Sequence, residues 1–225
     1  ALETSTDVWT VVTAQRHTLA RGWNWFSSYI DINGTTGFEK LQTALGTSGL
    51  HIKNQHQFVD YNQGWGWNGT LESTSVEEMY MIQTSEQVEL VLEGDIVNPA
   101  ETEITLQNGW TYIGYPVATA MNIEDALADI NPQDGDIIKT HNGVAMYYKD
   151  LETESGQLWS GWDGSLQSMT PGMGYMYRNT SGSVKEFTYP TPNANTRAAV
   201  KANVTAENNR WVPNASAFAN NMNII

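Results

Sequence analysis

The chain has no cysteine and few basic residues, and these two shortages exclude several classes of protein. Without cysteine there is neither a disulfide framework nor a cysteine-ligated zinc site. Lysine and arginine total 11 against 25 aspartate and glutamate residues, which gives a net charge of −14 at pH 7. Such a surface repels phosphate backbones and anionic lipid headgroups. We therefore expect neither nucleic acid nor a membrane surface as a partner.

The chain also lacks a long apolar run. No segment approaches the roughly 18 apolar residues that a membrane span needs, so no membrane insertion is predicted. The opening ALETSTDVW has no Met and no basic-then-apolar signal segment, as expected of a processed product or an excised piece. What is abundant is Trp (9), Tyr (10) and Gly (19). This composition favours strands joined by tight turns, so we predict a mainly β fold, with α+β as the alternative.

An internal repeat is the most informative feature of the sequence. Residues 20–30, ARGWNWFSSYI, resemble residues 107–117, QNGWTYIGYPV. Further matches follow in the same order, among them Trp23 with Trp110, Ile52-Lys53 with Ile138-Lys139, Tyr61 with Tyr147, Trp67 with Trp162, Leu71 with Leu166 and Tyr80 with Tyr175. Matches in one order along the chain predict a duplicated module, with one copy over residues 19–102 and the other over 103–189.

Each module is predicted to be β-rich with one short helix, as a small barrel or as a sheet with a helix across it. Alternating large residues in WNWFSSYIDI and WTYIGYPV predict strands. Helical spacing predicts two apolar helix faces, Phe38, Leu41 and Leu45 in one copy and Ile123, Leu127 and Ile130 in the other. Thr36 and Glu39 have the spacing of a capping box, and Asn122 is the expected N-cap of the second helix.

The two ends of the chain differ in composition from the modules. Residues 1–18 are predicted to hold a lead-in strand. Residues 190–210 are rich in Pro, Asn, Ala and Thr without apolar periodicity, which is typical of a linker. Residues 211–225 become apolar again, and we interpret them as the start of a truncated third module.

The shared motifs resemble a known group of repeats. The L-x-x-GW opening, the IK strand and the W-N/D-G-S/T-L close are similar to the Trp-rich (GWN-type) tandem repeats of large secreted or surface-attached proteins of Bacteroidetes-type bacteria. In those proteins a β-sandwich module follows the repeats, and RWVPNASAFANNMNII resembles its opening. The resemblance implies an extracellular or cell-surface location and an accessory role in spacing, adhesion or glycan contact. It carries no catalytic residues that match positions here.

Catalytic and metal-binding patterns are weak in this sequence. Asp60 and Glu77 are the kind of acids a glycosidase pairs, but none stands out from the general acidity. The four histidines have no metal-ligand spacing, and no nucleophile elbow or phosphate loop is present. Asp134 and Asp136 in NPQDGDII are a calcium candidate, although an Asp-Gly turn explains them better. We therefore predict a protein that is not an enzyme and has no cofactor.

Tryptophan offers the sharpest binding hypothesis, because a flat ring stacks on the C–H face of a sugar. Trp23, Trp67, Trp110 and Trp162 occupy matched positions and are predicted to lie in the cores. Trp65 and Trp159 are unmatched and are predicted to be exposed in loops. With neighbouring polar residues they define the candidate ligand-binding set, Trp65, Trp159, Tyr61, Asn68 and Asp163.

Two functions remain open from the sequence. The first is a noncatalytic structural or adhesion segment of an exported or cell-surface multidomain protein. The alternative is a carbohydrate-binding module that uses loop Trp and Tyr residues. In both cases the expected partner is a protein or a glycan at the cell exterior.

Overall fold

The structure is a computed structural model, and it describes residues 13–152 and 156–191. We refer to residues 13–102 as the first half and to the rest as the second half. The first half contains β1 (Ala14–Leu19), β2 (Gly22–Phe26), α1 (Gly34–Leu45), β3 (Gly49–Lys53), β4 (Phe58–Asn62), β5 (Gly66–Gly69), β6 (Tyr80–Thr84) and β7 (Val88–Glu93). Two 3₁₀ turns, Gly46–Ser48 and Pro99–Glu101, also belong to it.

The second half is built from shorter helical pieces and longer strands. It contains β8 (Glu103–Leu106), β9 (Gly109–Ile113), β10 (Met121–Asn122), α2 (Ile123–Ala126), a 3₁₀ turn (Ala128–Ile130), β11 (Ile137–Lys139), β12 (Val144–Glu152), β13 (Leu158–Gly164), β14 (Ser168–Met169), β15 (Tyr175–Asn179) and β16 (Lys185–Thr188).

Each half holds one five-stranded antiparallel sheet. The strand order is β2-β6-β3-β4-β5 in the first sheet and β9-β15-β11-β12-β13 in the second sheet. Smaller two-stranded pairings join β1 to β7, β8 to β16 and β10 to β14. The prediction of a mainly β fold is confirmed. The two sheets have the same strand order, while the duplicated module and its boundaries stay a prediction.

A separate hydrophobic core fills each half. Because side chains alternate along a strand, Ile52 and Ile82 of the first sheet point into the first core. Ile138 and Tyr177 of the second sheet point into the second core. Helical segments cover these faces. The predicted apolar face of the first helix is confirmed, because Phe38, Leu41 and Leu45 lie in α1 and are buried. In the second half Ile123, Leu127 and Ile130 are buried as predicted, but they do not share one helix.

The start of α1 differs from the prediction. Thr36 and Glu39 lie within the helix, which already begins at Gly34, so the capping-box prediction was wrong. Asn33 occupies the N-cap position, but its side chain makes no cap hydrogen bond. Instead Asn33 Oδ1 accepts a hydrogen bond from the backbone N–H of Val76 at 3.0 Å. The helix entry is therefore held by a distant segment of the same half.

The second predicted helix is shorter than expected. Only one α-helical turn, α2, forms, and a 3₁₀ turn follows it at Ala128–Ile130. Asn122 caps this turn as predicted, since its Oδ1 accepts a hydrogen bond from the N–H of Glu124 at 3.0 Å.

Strand β1 crosses the predicted boundary between residues 18 and 19. It pairs along its whole length with β7, from Ala14 opposite Glu93 to Leu19 opposite Val88. Strand β1 is thus part of the first half. Residues 1–12, most of the predicted linker at 190–210 and the predicted third module at 211–225 lie outside the described residues.

The two halves meet at the edge of β2. Phe26 forms an antiparallel bridge with Met173, and the N–H of Ser27 donates to the carbonyl of Gly172 at 3.2 Å. Ser27 is fully buried, and its hydroxyl donates to the Met173 carbonyl at 2.6 Å. The same hydroxyl accepts from the N–H of Tyr115 at 3.1 Å. One serine of the first half therefore joins two separate segments of the second half.

A reciprocal contact forms at the end of β9. Gly114 occupies the position matched to Ser27, and its N–H donates to the carbonyl of Glu77 at 2.7 Å. A Cβ on Gly114 would lie 2.1 Å from the backbone oxygen of Val76. Glycine is required here because the two backbones approach too closely for any side chain. We call this pair of contacts the junction.

A buried carboxylate stabilises the second half. Asp136 is fully buried, and its oxygens accept hydrogen bonds from the Gln133 N–H at 3.0 Å, the Thr180 N–H at 2.7 Å and hydroxyl at 2.6 Å, and the Tyr177 hydroxyl at 2.7 Å. Lys185 Nζ lies 3.7 Å away. Burial by itself raises the pKa of Asp136, but the hydrogen bonds outweigh it and the pKa is lowered.

Asp136→Asn should lower the free energy of unfolding by about 2–4 kcal/mol, because it removes the charge that several buried donors share. The lowered pKa means that the carboxylate stabilises the fold fully above its unfolded pKa of about 4 and progressively less below it. Urea titrations of both proteins at several pH values measure the difference. The difference in unfolding free energy between the two proteins should shrink below about pH 4. A difference that stays constant down to pH 3 would show that the Asp136 carboxylate does not stabilise the fold in this way.

Gly114→Ala should destabilise the chain by about 1–3 kcal/mol or more, because its Cβ meets the backbone of Val76. Gly143→Ala is the matched control. Neither glycine has a left-handed backbone, and the three atoms nearest to a Cβ at Gly143 belong to Leu166, at 3.3–3.5 Å. Urea denaturation should show a change within about 1 kcal/mol for the control. Equal effects of the two substitutions would argue against a close junction.

Candidate functional site

The first sheet has one surface turned away from its core. Side chains alternate along a strand, so the neighbours of the buried Ile52, Val59 and Ile82 lie on the opposite surface. We call this surface the first outer face; its members include Trp23, Trp25, His51, Lys53, Phe58, Asp60, Asn68, Met81 and Gln83.

The register of the strands places five of these residues in one row. Along the row, the paired neighbours are Trp23 and Gln83, Gln83 and His51, His51 and Asp60, and Asp60 and Asn68. Adjacent strands lie about 4.8 Å apart, so the row extends about 19 Å across the sheet. It crosses all five strands of the first sheet.

Three rings form an aromatic strip on the first outer face. The ring centroids of Trp23 and His51 are 5.3 Å apart with an interplanar angle of 71°. The His51 and Phe58 rings are stacked, with centroids 5.6 Å apart and planes 10° from parallel. Trp23 is 43% exposed and Phe58 is 44% exposed. The two outer rings of the strip, Trp23 and Phe58, therefore remain open to solvent.

A hydrogen-bonded pair, His51 and Asp60, lies beside the strip. His51 Nδ1 and Asp60 Oδ1 are 2.6 Å apart. In this pair His51 donates and the carboxylate accepts, since the carboxylate has no proton to give. The Asp60 side chain is 51% exposed, whereas that of His51 is largely covered. The imidazole thus holds the carboxylate in place and leaves it accessible.

The second sheet has an equivalent surface with a different composition. Trp110 is paired with Arg178 as Trp23 is with Gln83. Lys139 Nζ lies 4.5 Å from the Trp110 ring centroid, and the matched Lys53 Nζ lies 5.5 Å from that of Trp23. The positions matched to His51, Phe58 and Asp60, however, are apolar. They are Ile137, Val144 and Met146. The second outer face includes these three residues together with Trp110, Tyr112, Lys139, Asp163, Met176 and Arg178.

A shallow groove of about 360 Å³ lies where the two halves adjoin. Its walls include His51 and Phe58 of the first sheet and Tyr112 of the second. Gln55, also in the wall, donates to the Trp110 carbonyl and accepts from the Tyr112 N–H, both at 2.9 Å. The Gln55 amide thus pairs with backbone groups at the edge of β9, as the backbone of a neighbouring strand would. The groove continues the first outer face toward the second half.

A smaller pocket of about 190 Å³ contains acidic residues. Glu77 and Glu78 line it together with Tyr112. Burial, then the charges of Glu78 and Glu103, raise the pKa of Glu77. The pocket is below the usual volume of small-molecule sites, which starts near 300 Å³. We assign no ligand to it.

Three predicted site residues belong to the β4–β5 hairpin. Trp65 is 86% exposed, as predicted, and its N–H donates to the Asn62 carbonyl at 3.0 Å. The Asn68 amide donates to the carbonyls of Trp65 at 3.4 Å and Gly66 at 3.1 Å, which fixes the turn. Tyr61 points to the core side instead, where its ring contacts Trp67 with centroids 5.4 Å apart. Trp65 thus projects from a turn of defined geometry.

The other two predicted residues lie on β13. Trp159 is 39% exposed, as predicted, but the prediction of a loop was wrong, because Trp159 pairs with Leu151 inside strand β13. Its ring centroid lies 6.4 Å from that of Tyr148. Asp163 is exposed and stands opposite Met146. Strands β5 and β13 are the edges of their sheets farthest from β2 and β9, at which the halves meet. The predicted set is therefore divided between two distant hairpins.

The calcium candidate is occupied by protein donors. Four hydrogen bonds already fill the acceptor positions of Asp136, and Asp134 Oδ1 accepts from the Lys149 N–H at 3.0 Å. Among residues 13–152 and 156–191, no cluster of three or more His, Cys, Asp or Glu residues could hold a metal ion. The geometry gives calcium no support.

The prediction that all four matched tryptophans lie in the cores was wrong for two of them. Trp162 is 7% exposed and Trp67 packs against the first core. Trp23 and Trp110, at 43% and 37% exposed, lie on the outer faces instead. The physical reason is the alternation of β2, in which Phe26 takes the inward position and Trp23 falls on the other surface.

The sequence interpretation missed most of the first outer face. His51, Lys53 and Phe58 were not among its site candidates. The alternation in LHIK and FVDY could have identified them. If Ile52 and Val59 point into the core, their neighbours in each strand must lie on the outer surface. The sequence match supplies a second signal, because Ile137, Val144 and Met146 stand at the positions matched to His51, Phe58 and Asp60.

Comparisons of the chain with protein-family models, with curated protein sequences and with solved structures found no match. In the part of the chain that the structure describes, no helix has both the length and the apolar character needed to cross a bilayer.

Trp162→Ala should lower the free energy of unfolding by about 3–5 kcal/mol, because it empties a buried site that contacts Tyr147 and Tyr177. Trp23→Ala should cost less than about 2 kcal/mol, because much of that ring is already in water. Chemical denaturation of the two variants compares them directly. Similar losses would restore the core interpretation of Trp23.

Proposed function

We propose that the chain is a noncatalytic adhesion segment of an exported or cell-surface multidomain protein. In this proposal two joined β-sheets form a rigid support, and aromatic side chains on hairpins and sheet faces contact a protein or glycan at the cell exterior. The resemblance to surface-protein repeats supports the location. The net charge of −14 argues against nucleic acid as the partner.

The observation that carries the proposal is the exposure of Trp65 on a held turn. Burial of a Trp ring is strongly favourable, so a ring left 86% exposed does little for the fold. Hydrogen bonds from Asn68 and to Asn62 fix the backbone of the turn. A turn with a fixed backbone loses little freedom on binding, and Trp is frequent at energetic hot spots.

Trp65→Ala should abolish adhesion while leaving the fold intact. Beads carrying the 225-residue chain are tested on immobilised collagen, fibronectin, mucin and a glycan panel. Retention on the partner should fall at least about tenfold, the loss expected for a hot-spot Trp. The free energy of unfolding should change by no more than about 0.5 kcal/mol.

The matched control is Val184→Ala, which removes an exposed apolar side chain (53% exposed) from a different loop. Retention should be unchanged in this control. A Trp65→Ala protein that is clearly less stable yet adheres normally would show that Trp65 serves the fold, and the proposal would lose its main support.

A carbohydrate-binding module is the second candidate. Asn68, whose amide holds the turn of Trp65, is exposed on the same hairpin, so an aromatic ring and a polar side chain are close together. Sugar recognition uses this combination of a flat ring and polar groups. Retention on glycans alone would favour this candidate, and retention on proteins alone would favour protein adhesion.

A further inference from the structure

We propose that the first outer face binds a neutral glycan chain, which lies along the row from Trp23 to Asn68. This inference rests on the proposed function and names the class of partner that this face would hold. It adds a glycan contact on the flat of the first sheet to the contact that Trp65 makes from its hairpin turn.

The exposed rings are the first reason. Trp23 and Phe58 are each more than 40% exposed, and the stacked ring of His51 connects them into one strip. A pyranose ring has a C–H face that packs against an aromatic surface of this kind. At about 19 Å, the row of strands is long enough for several sugar rings.

The polar groups along the row are the second reason. A sugar carries hydroxyl groups around its rim, and each of them both donates and accepts. Asp60 offers a half-exposed carboxylate that His51 holds in place at 2.6 Å. On either side in the same row, Gln83 supplies an amide and Asn68 an amide oxygen, since the Asn68 N–H groups already hold the turn. In this arrangement His51 acts as a positioning residue and Asp60 accepts from the ligand.

Charge selects a neutral glycan over an acidic one. The chain has a net charge of −14, and the accessible charge in the centre of the row is the Asp60 carboxylate. Lys53, the cation of this face, lies over the Trp23 ring. Uronic acid or sulfate groups along the ligand would meet a repulsive field.

The second outer face is a natural control within the same molecule. It retains the Trp–Lys pair as Trp110 and Lys139, so this pair belongs to the framework that both sheets share. It has Ile137, Val144 and Met146 where the first face has His51, Phe58 and Asp60. Apolar side chains at these positions neither accept from sugar hydroxyls nor provide the stacked ring strip. Binding is therefore assigned to the first face alone.

The test transfers residues of the second face to the first. Phe58→Val and Asp60→Met each install the matched residue of the second face, and Asp60→Asn removes only the charge. Isothermal titration calorimetry with cellohexaose, xylohexaose, mannohexaose and maltohexaose measures affinity, and an oligogalacturonate serves as the acidic probe. We expect at least one neutral probe to bind, and each of the three variants to bind it at least tenfold more weakly.

The control variant Trp110→Ala, on the second face, should bind the neutral glycan as tightly as the unmodified chain does. The acidic probe should bind the unmodified chain more weakly than the neutral glycan does. Thermal unfolding establishes that each variant is folded. If Phe58→Val or Asp60→Met destabilises the sheet, the smaller change Asp60→Asn still tests the inference. Loss of glycan binding in Trp65→Ala but not in the Asp60 and Phe58 variants would move the site to the hairpin and overturn the inference.

Two negative results separate this inference from the proposed function. If no neutral glycan binds while beads still adhere to an immobilised protein, the glycan face is wrong and the adhesion proposal stands. If the chain retains neither glycans nor proteins, both fail.

Discussion

The contact of Ser27 with the second half is the interaction on which the rest of the surface depends. Its buried hydroxyl donates to the Met173 carbonyl and accepts from the Tyr115 N–H, while its own N–H donates to Gly172. Strands β2 and β9 are both sheet edges, and such edges leave backbone groups unpaired. The junction and the Gln55 side chain pair several of those groups. As a consequence the two outer faces adjoin, and the β4–β5 and β12–β13 hairpins lie at the far edges.

A comparison of the two sheets distinguishes structural residues, which both sheets have, from candidate binding residues, which only one sheet has. Both have a Trp on the edge strand with a Lys over its ring, so this pair belongs to the architecture. The stacked His51–Phe58 rings and the His51–Asp60 pair occur only in the first sheet. A binding role is therefore best assigned to features that are unmatched, which are the first outer face and the Trp65 turn. On this account the shared framework provides rigidity and the differences provide recognition.

The spacing of apolar residues and the composition were sufficient to predict the mainly β fold and the buried residues of the helical segments. Both follow from which residues avoid water. They were insufficient for Trp23 and Trp110. Strand β2 carries large residues on both surfaces, and only the packing of Phe26 decides which one faces inward. The Asp136 network was also hidden, since its donors Tyr177 and Thr180 are more than 40 residues away. Local patterns do not record such long-range partners, and the same limit applies to the row across the first outer face.

Differential scanning calorimetry of the whole chain tests the central claim, that the junction makes the two halves one rigid body. If it does, the halves should unfold in a single transition whose calorimetric enthalpy equals the van't Hoff enthalpy. Two resolved transitions, or a calorimetric enthalpy about twice the van't Hoff value, would show that the halves unfold independently. The common arrangement of the two outer faces would then lose its physical basis.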